Sequence, residues 1–186
     1  MCISVIAFAQ ENKEHLTFKG IPVDGTLNSF VAQLKQKGFT YIGTNDGVAM
    51  LSGDFASYKN CIVGAVSLED KDLVYKVVVI FPSHDIWSAI ESDYQSLKQM
   101  LTKKYGKPTH CVETFQSYSQ PKDDFYKMHE LKMDRCKFNA EFETERGSID
   151  LQISHEKNPS EGGYVRLVYF DAINQKAVMS DAMDDL

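Results

Sequence analysis

The 186-residue sequence predicts an α+β fold built from two tandem units, each a helix followed by four strands of an antiparallel sheet. Three observations lead to this prediction. A helical stripe of apolar residues lies in the middle of the chain, segments with alternating apolar residues lie on both sides of it, and the segments of the two halves can be aligned. Alternation with a period of two is typical of half-buried strands, and helices that cover one face of such a sheet define the α+β class.

The most regular element is a helix predicted within the segment from Ser83 to Pro108. Its apolar residues recur every three or four positions and so share one helix face: Ile86, Ile90, Tyr94, Leu97, Leu101 and Tyr105. Ser83 is the expected N-cap, and Gly106 with Pro108 is expected to end the helix. Trp87 lies beside the stripe, and a core-facing helix explains it better than an aromatic ligand groove.

The first unit is predicted to contain one helix and four strands after a short extended lead-in. The turn Pro22–Thr26 is expected to cap the helix, and Asn45-Asp46-Gly47 is a hairpin signal. The Val77–Phe81 run is apolar on both faces, which indicates a central strand. The predicted bounds are 27–37 for the helix and 40–44, 47–52, 60–68 and 73–81 for the strands.

The second unit repeats this order after the central helix. A strand is expected from Thr109 to about Tyr118, and residues 119–133 have no counterpart in the first half. Three further strands are indicated by alternation, and a short helix or tail is expected from Asp171 onward. These strands cover Cys136–Glu143, Ile149–Ser154 and Tyr164–Phe170.

The two halves therefore define a first α+β unit at 10–82 and a second at 83–186, which together form one compact domain. Four core positions of the first unit fall opposite four of the second at one offset. The positions are Ala49, Leu51, Gly53 and Phe55 against Cys136, Phe138, Ala140 and Phe142.

The first ten residues, MCISVIAFAQ, are apolar and include Ala7-Phe8-Ala9, a small-x-small pattern like a signal-peptidase site. This favours residues 1–9 as the remnant of a signal peptide and a periplasmic or secreted protein. No Lys or Arg precedes the apolar run, and the run is short. The alternative is a first β-strand of a cytoplasmic protein that retains this segment.

After removal of such a segment, three cysteines remain: Cys61, Cys111 and Cys136. An odd number allows at most one disulfide, which excludes a disulfide scaffold. Cys111 and Cys136 are the pair nearest in sequence, although sequence alone does not show that their Cβ atoms meet.

Composition limits the classes of partner. The net charge is −6, and the cationic residues do not cluster, so binding to nucleic acid is not expected. No apolar stretch approaches the roughly 20 residues that cross a bilayer, so no integral membrane segment is expected.

Several short segments of the sequence resemble segments of other proteins. They are the Ala-x-Ala-Gln start, Phe18–Leu27, Gly53-Asp54-Phe55 with Tyr58–Cys61, and Leu101–Pro108. In these features the chain resembles small exported proteins of unknown function from gut anaerobes. The tandem layout also resembles β-lactamase-inhibitor-protein-like folds, which implies binding through an exposed concave sheet face without chemistry. No motif carries a lactamase-binding loop onto particular residues here.

Motifs for catalysis and metal binding fail on their spacing. His129-Glu130-Leu131-Lys132-Met133 begins like a zinc-protease helix, but Met133 stands where the second histidine ligand is required. Cys61 is expected to be buried and inert. Gly-rich phosphate loops and nucleophile-elbow motifs are absent from the sequence. We therefore expect no cofactor and no metal.

The sequence thus favours a non-enzymatic binding protein whose partner is a protein or peptide, with an exposed sheet face as the contact. The candidate contact residues are Tyr118, Phe125, Tyr126, Glu141 and Glu143. The three aromatic residues could instead pack inside their hairpin. The other candidate functions are an extracellular hydrolase acting on a polymer and a structural envelope protein.

Overall fold

The computed structural model describes residues 14–68, 71–156 and 162–184. The elements of its first half are β1 (Thr17–Phe18), β2 (Ile21–Pro22), α1 (Leu27–Gln36), β3 (Thr40–Asn45), β4 (Val48–Phe55), β5 (Tyr58–Leu68) and β6 (Leu73–Ile80). Those of its second half are α2 (Trp87–Tyr105), β7 (His110–Phe115), α3 (Asp124–Lys132), β8 (Cys136–Thr144), β9 (Gly147–His155), β10 (Gly163–Asp171) and α4 (Ala172–Asp184). The α+β class is confirmed.

Eight of these strands form one antiparallel sheet in the order β3-β4-β5-β6-β10-β9-β8-β7, and β1 and β2 form a separate two-stranded sheet. The last strand of each half lies at the centre, where β6 pairs with β10 in a register that places Val77 opposite Tyr169. The expected central strand is thus confirmed. Strands β3 and β7 form the two edges.

The core lies on one face of the large sheet. Side chains of α1, α2 and α3 belong to the same buried cluster as alternate residues of the strands. Trp87 is fully buried, and its ring lies 5.0 Å from the rings of both Phe115 and Phe138, centroid to centroid. The core-facing interpretation of the central helix is therefore correct.

One of the two predicted helix N-caps is confirmed, and the other is wrong. Thr26 caps α1 by accepting a hydrogen bond from the backbone N–H of Ser29. Ser83 does not cap α2, which begins four residues later and has no side-chain cap of its own. Asp124 of α3 performs this role, because its carboxylate accepts hydrogen bonds from the backbone N–H and the hydroxyl of Ser88.

The segment at 119–133 contains the short helix α3, which the sequence analysis missed. Asp123 caps it by accepting a hydrogen bond of 3.0 Å from the backbone N–H of Tyr126. Met128 and Leu131 are its buried apolar residues. Two apolar contacts in nine residues produce too weak a periodicity to distinguish a helix from a loop.

Two side chains near the end of the chain hold the N-terminal segment. Asp171 is fully buried, and its carboxylate accepts hydrogen bonds from the backbone N–H of Leu16 at 2.7 Å and of Asn174 at 2.8 Å. The side-chain amide of Asn174 donates to the carbonyl oxygens of Val23 and Val74. The start of β6, the N-terminal segment and the first turn of α4 are therefore joined by side-chain hydrogen bonds.

The candidate disulfide between Cys111 and Cys136 is wrong, since both thiols are free. Cys111 lies opposite Ala140 on β8, and Cys136 lies opposite Phe115 on β7. The two cysteines thus stand at opposite ends of this strand pair, about 13 Å apart at a rise of about 3.3 Å per residue. A disulfide needs Cα atoms within about 7 Å.

The proposed signal-peptide remnant at residues 1–9 lies outside the described residues. Among the residues that are described, no helix combines the length and the apolar content needed to cross a bilayer.

Candidate binding surfaces

The face of the large sheet opposite α1, α2 and α3 is formed by the second set of alternate strand residues. We call this surface the open face. One row crosses seven adjacent strands by direct cross-strand pairing: Met50, Gly64, Val78, Val168, Asp150, Glu141 and His110. The row changes from apolar to acidic between β10 and β9.

The apolar part of the open face lies on β4, β5, β6 and β10. Met50 is 42% exposed, Ile62 and Val78 are half-buried, and Val168 is buried. Ile62 pairs with Ile80 across the strands, which continues the apolar surface along a second row. Contiguous apolar surface, where it is at least partly exposed as at Met50, is typical of sites that bind other proteins.

The acidic part lies on β8 and β9. Asp150 stands directly opposite Glu141, and Glu143 follows two residues further along β8 on the same face. Like charges placed directly opposite each other in a sheet destabilise it. The stability of the fold therefore does not explain why Asp150 stands opposite Glu141.

Burial, followed by the charges of Glu141 and Glu143, raises the pKa of Asp150 to about 6, although Arg166 opposes the shift. Asp150 is half-buried between β8 and β10. Burial also lowers the pKa of Lys76, as does the charge of Arg166. The middle of the open face thus carries charged groups of both signs that are partly removed from water.

A cavity of about 390 Å³ lies at the acidic end of the sheet. His110 and Val112 of the edge strand line it together with Asn139 and Gln152. Its amide and imidazole groups can form hydrogen bonds with the backbone of a bound chain. Asp150 and Glu141 are not among the lining residues, so this cavity does not combine the two carboxylates that a glycosidase requires.

The structure divides the five candidate contact residues between two sides of the molecule. Glu141 and Glu143 lie on the open face, whereas Phe125 and Tyr126 lie on α3, which packs on the opposite face. Tyr118 lies in the loop before α3 and is fully exposed. The five residues therefore do not form one contact surface.

The aromatic residues of α3 are exposed, and they do not fill the core. Phe125 is 76% exposed and Tyr126 is 57% exposed, and their rings contact each other edge to face at 5.5 Å. This arrangement disfavours the alternative in which they pack inside the hairpin.

The apolar half of the open face was not recognisable as a site from the sequence. Ile62, Val66, Val78 and Ile80 belong to strands that are apolar on both faces, and such strands predict burial on both sides. Only the position of α1, α2 and α3 shows which of the two faces holds the core.

Comparisons of the chain with family models, curated proteins and solved structures gave no match. Within the described part of the chain, no group of three or more His, Cys, Asp or Glu side chains is placed to hold a metal ion.

We expect Asp150→Asn to stabilise the protein at pH 8 but not at pH 4. The pKa of Asp150 is raised from 3.8, so the folded state binds the proton more tightly than the unfolded state does. The stabilisation of the fold by this bound proton is lost as the pH rises through about 6. The gain at pH 8 should be about 1 kcal/mol after allowance for solvent screening. Urea unfolding at both pH values measures it.

The matched control for this variant is Glu145→Gln, in the exposed turn between β8 and β9. It should change the free energy of unfolding equally little at both pH values. A gain for Asp150→Asn that is the same at pH 4 and pH 8 would contradict the electrostatic explanation.

We expect the double variant Phe125→Ala, Tyr126→Ala to melt within about 2 °C of the wild type, because substitutions of exposed side chains have small effects. Leu131→Ala in the same helix is the control. It removes a side chain that is 2% exposed, and it should cost about 2–4 kcal/mol. Thermal unfolding followed by circular dichroism compares the stability of the double variant with that of Leu131→Ala. A double variant as unstable as Leu131→Ala would show that the aromatic residues are part of the core.

Proposed function

We propose that the protein is a non-enzymatic binding module that holds a protein or peptide partner on the open face. The observation that supports this most is the composition of that face, where an apolar surface borders a set of carboxylates. The apolar part includes Met50, Ile62 and Val78, and the acidic part includes Asp150 and Glu141.

The chemistry of the face specifies the partner. Apolar side chains of the partner would cover β4, β5 and β6, and Lys or Arg side chains would pair with the carboxylates of β8 and β9. A bound cation would remove the repulsion between Asp150 and Glu141, so the arrangement that destabilises the free protein stabilises the complex. Complementary charge would also set the orientation of the partner.

We also propose that the halves at 10–82 and 83–186 are tandem units related to β-lactamase-inhibitor-protein-like folds. In support, α1 is followed by β3–β6, and α2 by β7–β10 with α3 inserted after β7, and the last strands of the two series, β6 and β10, pair at the centre of the sheet. Under this proposal the module acts in the periplasm or outside the cell.

The alternative is an extracellular hydrolase acting on a polymer. The raised pKa of Asp150, opposite the carboxylate of Glu141, is the observation in its favour, because a carboxyl that titrates near neutral pH can act as a general acid. The binding module explains the apolar half of the face as well, and the hydrolase does not.

The test uses peptides selected from a random displayed library on the immobilised wild-type protein. The selected peptides should combine Lys or Arg with apolar residues. By fluorescence anisotropy, Met50→Lys should weaken their binding about tenfold, and Glu141→Lys with Glu143→Lys should weaken it by at least as much.

Two controls separate the surfaces of the molecule. Gln36→Lys changes an exposed residue of α1, and the Phe125→Ala, Tyr126→Ala variant changes α3. Both should bind the selected peptides like the wild type. Binding that survives the open-face changes but is lost in the α3 variant would place the contact on α3 and contradict the proposal.

A further inference from the structure

A second candidate site lies on the helical side of the sheet, between the C-terminal half of α2 and the turn from β4 to β5. It is a groove of about 230 Å³. Its floor is formed by side chains with at most 6% exposure from α2 and β10, namely Leu97, Leu101, Leu167 and Tyr169. Phe55 and Ala56 form one wall, and Met100, which is 46% exposed, stands at the opening.

The turn beside the groove has an unusual backbone. Ala56 and Ser57 both have positive φ angles, +49° and +72°, in a conformation that usually requires glycine or asparagine. The turn is held in place by packing, since the ring of Phe55 stacks on that of Phe18 at 5.1 Å. The wall formed by Phe55 and Ala56 is therefore a preformed feature of the fold.

The charged side chains that line the groove are cationic. Lys19 and Lys104 line it, and no carboxylate from the described part of the chain does. The ammonium of Lys104 lies 4.7 Å from the centroid of the Tyr105 ring, and that of Lys19 lies 3.4 Å from the backbone carbonyl oxygen of Asp54. Within the described residues, neither lysine forms an ion pair.

We propose that this groove binds a single-chain amphiphile with a carboxylate head group, such as a medium-chain fatty acid. The alkyl chain lies against Leu97, Leu101 and Leu167, and the carboxylate lies between the ammonium groups of Lys19 and Lys104. The apolar floor accepts the chain through the hydrophobic effect. The two lysines select an anion on a protein whose net charge of −6 would otherwise repel it.

The probe is sodium decanoate, titrated into the protein labelled with ¹³C at the methionine methyl groups. Met100 stands at the groove and Met50 stands on the open face, so their methyl signals report the two sites separately. The Met100 signal should shift with saturation at decanoate concentrations below about 1 mM, while the Met50 signal stays in place. Octanoate should bind about tenfold more weakly, because two methylenes are removed.

Charge selection is tested with decylammonium, which has the same chain and the opposite charge. It should give no saturable shift of the Met100 signal. The double variant Lys19→Ala, Lys104→Ala should bind decanoate at least tenfold more weakly than the wild type. Lys103→Ala is the matched control, because Lys103 is an exposed neighbour on α2 that does not line the groove, and it should bind normally.

The location is tested by filling the groove. Ala56→Phe should abolish the Met100 shift, and Ser57→Phe at the adjacent position should not. Melting curves confirm that each variant is folded. The proposal is overturned if decylammonium binds as well as decanoate, if Met50 shifts in place of Met100, if neither signal shifts, or if Ala56→Phe binds normally. These outcomes are independent of peptide binding on the open face.

Discussion

The carboxylate of Asp171 is buried where the N-terminal segment, the end of β10 and the first turn of α4 meet. A buried carboxylate is tolerated only when its oxygens are hydrogen-bonded or paired. Backbone N–H groups of Leu16, Ile173 and Asn174 donate to it, and His15 lies 3.1 Å away. Because Leu16 and Asp171 are 155 residues apart, this group connects the two ends of the described chain.

The hydrogen bonds of Asp171 also affect the centre of the sheet. Asn174, held by the Asp171 carboxylate, donates its side-chain amide to Val74 at the start of β6. Strand β6 therefore lies against β10 with its start fixed by a side-chain hydrogen bond as well as by the strand ladder. This pairing joins the apolar strands of the first half to β10, and β10 in turn pairs with the acidic strand β9, so the two parts of the open face lie on one sheet.

Local patterns predicted the order of the elements apart from α3, the central strand and the helix cap at Thr26, because each depends on neighbours in sequence. Contacts between distant residues were not predictable. Asp124 caps α2 from another helix, and the sequence placed Asp171 only at the start of a short helix or tail, without its contact to Leu16. Of the candidate contact residues, alternation correctly put Glu141 and Glu143 on one face, but it could not show that α3 lies on the other side of the sheet.

The role of Asp171 is tested most directly by native-state amide hydrogen exchange of Leu16 and Val79 in the wild type and in Asp171→Ala. We expect the variant to lose protection at both amides, by about 3 kcal/mol, because the hydrogen bonds of Asp171 and Asn174 support the whole sheet. Loss of protection at Leu16 alone, with Val79 in β6 unchanged, would show that Asp171 fixes only the N-terminal segment and would contradict the account.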